Sequence, residues 1–309
     1  MLKENEHVCC NESTVSLYNV NTIDKQKLNS ERANTKYHST ENKQYISCHI
    51  TKQTDIYKSI IDCNAATAQL FLGSAHSYKR SVLSYNDITR SEKYILDTNF
   101  HLYTHAPYIL SLGNADLYNK TCESVIQELE QVSQIKGRVV IHPNSGNITN
   151  AINALNNIPF SELSTPFKDM LLLENSCREG DKLGRSLFEL GKIIHNSINS
   201  KYVGICIDTC HIFAAGNYDL SIPTSVDNFF YDVNHYIGLD KLHMIHLNDS
   251  KNTYGSFRDT HELIGKGEIW REKLSKLQYF ISETLYRGID LITETGGGIE
   301  EVTYLRSII

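Results

Sequence analysis

The sequence has no apolar run long enough to cross a bilayer: stretches such as Met170-Leu171-Leu172-Leu173 last a few residues, where a spanning helix needs about 20. The first residues, Met1-Leu2-Lys3-Glu4-Asn5, hold no apolar signal segment. The expectation is an intracellular protein of the cytoplasm or nucleus, not secreted, and without a membrane partner. Cysteine is too sparse for a disulfide scaffold, with eight in 309 residues and no CxxC pair, so reduced thiols are expected. Excess positive charge is missing as well. A net charge of −6 weighs against a nucleic-acid partner unless some local positive centre offsets it.

What is present suits a soluble globular chain, with 40% hydrophobic and 21% charged residues. Residues 1 to 43 are rich in Asn, Ser, Thr, Glu and Lys and poor in clustered apolar groups. They read as a flexible tail, because so little apolar burial cannot offset the entropy of ordering. From residue 44 to 309 short β-rich apolar runs alternate with segments of helical period, the pattern of a (β/α)8 TIM barrel of α/β class. Eight such runs occur: Tyr45 to Ile50, Ala68 to Leu72, Phe100 to Thr104, Arg138 to Ile141, Met170 to Leu173, Val203 to Ile207, Leu242 to Ile245 and Ile289 to Thr293. Between them, Ala115 to Lys136 and Gly184 to Ser200 carry apolar stripes of helical spacing. No internal repeat follows the tail.

Six of the runs end on a metal-ligand residue type: His105, His142, Glu174, Asp208, His246 and Glu294. In a barrel the carboxyl ends of the strands form one mouth, so these side chains would converge. His211 stands three residues beyond Asp208, and Asp259 and His261 flank Thr260 in the loop after the seventh run. One strand-end His or Asp is usually a cap or a satisfied polar group, but nine together are not explained that way. Five imidazoles and four carboxylates suit Zn2+, with Mn2+ or Fe2+ as alternatives, and would serve three ions if one carboxylate bridges. Three dications against four carboxylates and a hydroxide leave a charge of roughly +1, locally attractive to phosphate despite the acidic whole.

Several stretches closely resemble the endonuclease IV family of abasic-site endonucleases. They are Ile141-His142-Pro143, Leu173-Glu174-Asn175-Ser176, the run Cys206 to Gly216, and His246-Leu247-Asn248-Asp249-Ser250-Lys251. The run Gly255 to His261 and Ile264-Gly265-Lys266-Gly267 extend the resemblance, which covers about Tyr45 to Thr295. It implies that His105, His142 and Glu174 hold one zinc, that Glu174, Asp208, His246 and Glu294 hold a second, and that His211, Asp259 and His261 hold a third. Catalytic roles would fall to Glu174, Glu294 and His142. Tyr108 with Ile109 looks like the element that fills the gap in distorted DNA, and Ser250, Lys251 and Arg258 would also touch DNA. The loop Gly73 to Arg80 should touch it too, by the same analogy. The implied activity is hydrolysis of the phosphodiester 5′ to an abasic site in double-stranded DNA, with repair of blocked 3′ ends, by a monomer. Glu174 would hold the attacking hydroxide and Glu294 would help to orient or deprotonate the water.

The chain departs from the family's pattern at Asn144 for Gly, Thr260 for Arg, Arg178-Glu179 for Gly-Gln, an inserted Asn217 and Trp270 for a small residue. These departures bear on DNA affinity more than on metal binding. Other features have plain readings. Cys206 and Cys210 read as buried inert thiols, Cys9-Cys10 and the pair Cys48 and Cys63 as free thiols, and Asn147-Ile148-Thr149 as a chance glycosylation match. His49 lines the site or the core with equal ease. Two rivals remain: a divalent-metal sugar isomerase or epimerase of the same barrel type, which has no use for His211, Asp259, His261 or Tyr108, and an inactive DNA-binding scaffold, which would have lost ligands.

Overall fold

A computed structural model describes residues 40–309. The expected tail therefore lies outside the described residues up to residue 39, as do Cys9 and Cys10. Residues 40–43 open a 3-10 helix, Thr40–Tyr45.

Eight parallel strands form the barrel. In chain order they are β1 (Ile46–Cys48), β2 (Thr67–Leu70), β3 (His101–His105), β4 (Arg138–Ile141), β5 (Leu171–Glu174), β6 (Val203–Asp208), β7 (Leu242–His246) and β10 (Asp290–Thr293). Their order in the sheet is β1-β10-β7-β6-β5-β4-β3-β2. The seam between β1 and β2 is closed by a parallel bridge between His49 and Gln69, with the Ile50 N–H donating to Gln69 O at 2.7 Å. The sequence reading placed every barrel strand within one or two residues at most of its ends. It missed the antiparallel pair β8 (Asp249–Ser250) and β9 (His261–Glu262), whose two-residue strands are too short to show a period of two.

Crossover helices surround the strands: α1 (Ile56–Asp62), α2 (Tyr85–Thr98), α3 (Tyr118–Gln134), α4 (Ile148–Asn157), α5 (Leu187–His195), α6 (Thr209–Ala214), α7 (Pro223–Tyr236), α8 (Leu274–Tyr286) and α9 (Gly298–Ser307). Many begin on an oxygen-bearing cap, as the unsatisfied N–H groups of a first turn require. Asp55, Ser84, Asn147 and Ser186 accept from the N–H three residues on. The cap role of Asn147 accounts for the apparent glycosylation triplet. Among the described residues no helix is long and apolar enough to cross a membrane.

The core has two parts. A large apolar layer lies between strands and helices, and a small one fills the barrel axis with Tyr103, Val140, Leu172, Cys206, Met244 and Ile292. Cys206 is thus a packing residue, in line with its reading as a buried inert thiol. Below it Asp290 Oδ2 accepts from the Tyr103 hydroxyl at 2.8 Å and from Thr67 Oγ1 at 3.0 Å, closing the floor with a satisfied carboxylate. Trp270 is also core, buried against Phe280 at 5.7 Å between ring centroids. That departure therefore bears on core packing.

Candidate metal centre

The carboxyl ends of the strands surround a cavity of about 350 Å3, lined in part by His105, His142, Glu174, His211, Asp259, His261 and Glu294. Asp208 and His246 lie fully buried beneath them. Six of the ligand-type residues are placed by barrel strands: His105, Glu174, Asp208 and His246 are the last residues of β3, β5, β6 and β7. His142 and Glu294 directly follow β4 and β10. Asp208 also caps α6, accepting the His211 N–H at 3.0 Å, which sets the three-residue spacing between them.

Donor atoms gather in groups within 4.8 Å of one another: His105, His142 and Glu174; Glu174, Asp208, His246 and Glu294; His211, Asp259 and His261. A further group joins Cys210 to Asp208 and His261. Glu174 belongs to two of these groups. One of its oxygens, Oε2, lies 3.2 Å from His105 Nε2 and 3.3 Å from His142 Nε2; the other, Oε1, lies 3.0 Å from His246 Nδ1. At the outer group, His211 Nε2 lies 3.0 Å from Asp259 Oδ2, and His261 Nε2 lies 3.4 Å from Asp208 Oδ2. Both nitrogens are buried yet out of line for a hydrogen bond to any protein atom. Buried polar atoms are nearly always paired, so two imidazole nitrogens left without a hydrogen-bond partner beside the Asp208 and Asp259 carboxylates fit a shared cation. The nitrogen and oxygen donor set, with no thiolate needed, suits zinc or a similar dication.

Electrostatics match. Burial pushes the Glu174 carboxyl up, but the imidazoles of His142 and His246 and hydrogen bonds from His105 and His246 outweigh it and hold it well below the usual carboxylate range. Burial pulls His142 down to about 4, opposed by Glu174, so its imidazole is neutral and able to donate a lone pair. His261 is opposed by burial but raised to about 10 by Asp208 and Asp259. Cys206 is driven up to about 12 by burial, and burial likewise raises Cys210.

Three residues that hold the ligands in place were not singled out from sequence. Gln69 Nε2 donates to Glu294 Oε1 at 2.7 Å, and its Oε1 lies 2.8 Å from His246 Nε2, fixing that ring. Asn248 Nδ2 donates to Asp208 Oδ2 at 2.7 Å, and its Oδ1 accepts the Glu294 N–H at 2.9 Å. Asn175 Oδ1 accepts the Asp208 N–H at 2.6 Å. Asn175 directly follows Glu174 and Asn248 stands two residues past His246, which was the available signal; Gln69 showed only as a strand residue. His49 joins this layer, with Nδ1 3.1 Å from Gln69 Nε2, and burial beside His105 and His246 pulls it down to about 3.

Around the mouth, Tyr108 is 45% exposed with its ring 5.2 Å from His105, Lys251 and Arg258 are exposed, and Ile109 is half-buried. Ser250 does not join this rim. It is fully buried, its Oγ donating to Asn252 O and accepting the Asn252 N–H. Neighbouring Asp249 accepts from the N–H groups of Gly265, Gly267 and Ile269. A Cβ on Gly267 would meet Asp249 Oδ1 at 2.5 Å, which explains a glycine in that turn. Asn144 adopts φ 55°, and its Nδ2 donates to Tyr108 O and to Leu110 O. An asparagine there tolerates the left-handed backbone and ties down the Tyr108 loop. In the loop Gly73 to Arg80, Arg80 turns inward and pairs with buried Glu128 at 3.3 Å. Only the earlier part of that loop, including Ser74, His76 and Lys79, faces solvent.

The chain is similar in sequence and fold to known proteins. A family model described as xylose isomerase-like TIM barrel matches residues 60–307. A protein named probable endonuclease 4 from Thermosipho africanus is 35% identical over 243 residues, covering 74% of this chain and 83% of its own length. Another of that name from Halothermothrix orenii is 32% identical over 263 residues, covering 80% and 91%. The crystal structure of endonuclease IV from Thermus thermophilus superposes with a TM-score of 0.71 at 23% identity, covering 85% of this chain and 96% of that one. With most of its length matched in sequence, the chain belongs to the endonuclease IV family of xylose isomerase-like TIM barrels.

Proposed function

We propose that this protein is a metal-dependent endonuclease that hydrolyses the phosphodiester 5′ to an abasic site in double-stranded DNA, leaving a 3′-hydroxyl and a 5′-deoxyribose phosphate. The observation that carries this reading is the gathering of nine His, Asp and Glu donors into three adjoining groups with Glu174 shared. The residues assigned to metal are His105, His142, Glu174, Asp208, His211, His246, Asp259, His261 and Glu294, with three Zn2+ as the occupants that the donor set favours. When bound, such ions lower the pKa of water and clamp phosphate oxygens.

The chain's own groups supply the rest. Glu174 sits ionised at the centre among four imidazoles, where it positions the nucleophile. Glu294, held by Gln69 and Asn248, reaches the cavity at partial exposure and is placed to take a proton from water. Tyr108, with Ile109 beside it, occupies the space vacated when the lesion rotates out, and Lys251 and Arg258 contact phosphate. A residue without a base costs less to unstack than a paired nucleotide, so selection comes from deformation and pocket fit. The same centre acts on blocked 3′ ends.

The test is metal content together with incision. Wild type should hold close to three metal ions and nick a duplex carrying one abasic analogue; Glu174→Ala should lose metal and activity together. A fully loaded wild type that leaves such a duplex intact would overturn the proposal.

A further inference from the structure

Two residues beside the cavity hold an unusual backbone. Arg178, in the loop after β5, has φ 68°, and Phe257, in the loop before β9, has φ 57°. Both lie in the left-handed region that costs a non-glycine side chain free energy, and such positions concentrate at functional sites. The two side chains meet: the Arg178 guanidinium carbon lies 5.3 Å from the Phe257 ring centroid, within cation–π range. Both are exposed, Phe257 at 48%. Cys177, next to Arg178, and Asp259, two residues past Phe257, line the cavity.

The scaffold beneath them is fixed. The Phe257 N–H donates to Ala214 O at 2.9 Å and the Gly255 N–H to Phe213 O at 3.1 Å, so this loop is strapped to α6, the helix that carries His211. In the Arg178 loop, Arg185 donates to Lys182 O at 2.7 Å and to Gly180 O at 3.1 Å, and Lys182 pairs with Glu179 at 2.8 Å. Arg185 and Lys182 are thereby engaged in building the loop. Among the described residues, Arg178 has no carboxylate at ion-pair distance. A guanidinium whose face rests on a ring keeps its edge N–H donors free, and that planar fork matches a phosphate.

We propose that Arg178, presented by the Phe257 ring, is a phosphate-binding residue that grips the DNA backbone next to the cavity and sets affinity for the substrate. The assignment rests on the endonuclease reading above. It also gives a role to one position where the chain departs from its family's pattern, Arg178 in place of Gly.

The test is steady-state incision of a duplex with one abasic analogue by the metal-loaded full chain, from 50 to 200 mM salt, for wild type, Arg178→Ala, Arg178→Lys and Phe257→Ala. One phosphate contact contributes about 0.9 to the slope of log affinity against log salt. Arg178→Ala should therefore raise KM at low salt with kcat unchanged, and its deficit should shrink ~3.5-fold as salt rises fourfold. Arg178→Lys should keep the wild-type slope, because the charge remains, and Phe257→Ala should raise KM by losing the platform. Arg90→Ala, which removes a guanidinium stacked on Tyr57 at 3.9 Å and away from the cavity lining, should change neither. Equal salt slopes for wild type and Arg178→Ala, with both cutting, would overturn this assignment while leaving the function intact. A wild type that does not cut overturns the function and the assignment with it.

Discussion

The ion pair between Arg80 and Glu128 offers a quantitative check on how the Tyr108 side of the mouth is held. Both side chains are 1% exposed, with Nη1 and Oε2 3.3 Å apart. Glu128 also accepts the Thr104 hydroxyl at 2.8 Å, one residue before His105. Arg80 Nη2 donates to Ser74 O and Ser77 O, holding the loop that in turn anchors Tyr108, whose N–H donates to Ala75 O at 3.0 Å. Glu128→Ala would leave a guanidinium buried without its counter-charge, which costs about 3–5 kcal/mol. For a domain of this size each kcal/mol moves Tm by about 2–4 °C, so Tm should fall by on the order of 10 °C. Replacing both partners, Arg80→Met with Glu128→Leu, removes the stranded charge and should recover more than half of the loss. The loop hydrogen bonds of Arg80 are not restored by that pair. Calorimetry with urea titration reads the stability, and cleavage by trypsin after Lys79 reads the loop. The double variant should recover more than half of the stability lost by Glu128→Ala but be cleaved faster than wild type. A single variant within 1 kcal/mol of wild type, or a double variant as unstable as the single, would refute the reasoning.

Other outcomes follow from the site. Tyr108→Ala should raise KM for abasic duplex with little change in metal content, read by kinetics beside elemental analysis, since the ring is 45% exposed and reaches no donor group by hydrogen bond. Metal loading should release protons, because His261 is held protonated up to about pH 10 in the metal-free protein and only the neutral ring ligates. An indicator in weak buffer should therefore acidify on zinc addition at pH 7, and zinc affinity should fall as pH is lowered. No proton release would show that His261 is not a ligand. Cys206, fully buried with its thiol driven up to about 12, should resist iodoacetamide at pH 8 in the folded protein and react only after denaturation, as followed by mass spectrometry.

The barrel and most of its mouth were legible because two periodicities are written plainly in the chain. Strand runs such as Val203 to Ile207 are apolar throughout, as burial on both faces demands, and a ligand-type residue standing at the end of six of the eight runs needs only strand geometry to reach the common mouth. What stayed hidden depends on contacts between distant segments. Gln69 holds Glu294 and His246 across the β1–β2 seam, and nothing local in Ala68 to Leu72 announces that. Arg80 closes a loop expected at the DNA, yet Glu128, 48 residues later, draws it inside. Ser250 sits in a motif yet turns its hydroxyl onto the backbone of Asn252. The stack of Arg178 on Phe257 joins two loops that share no pattern in sequence.

The measurement that tests the central claim most directly is the position and chemistry of the cut. The metal-loaded protein is incubated with paired duplexes identical except for one abasic analogue, and the products are resolved on a denaturing gel with polymerase extension of the upstream fragment. The account predicts a single nick 5′ to the analogue, an extendable 3′-hydroxyl, no cleavage of the intact duplex, and loss of the nick on chelation with return on adding Zn2+. Cleavage of both duplexes alike, a 3′ end that a polymerase cannot extend, or activity that survives chelation would contradict it.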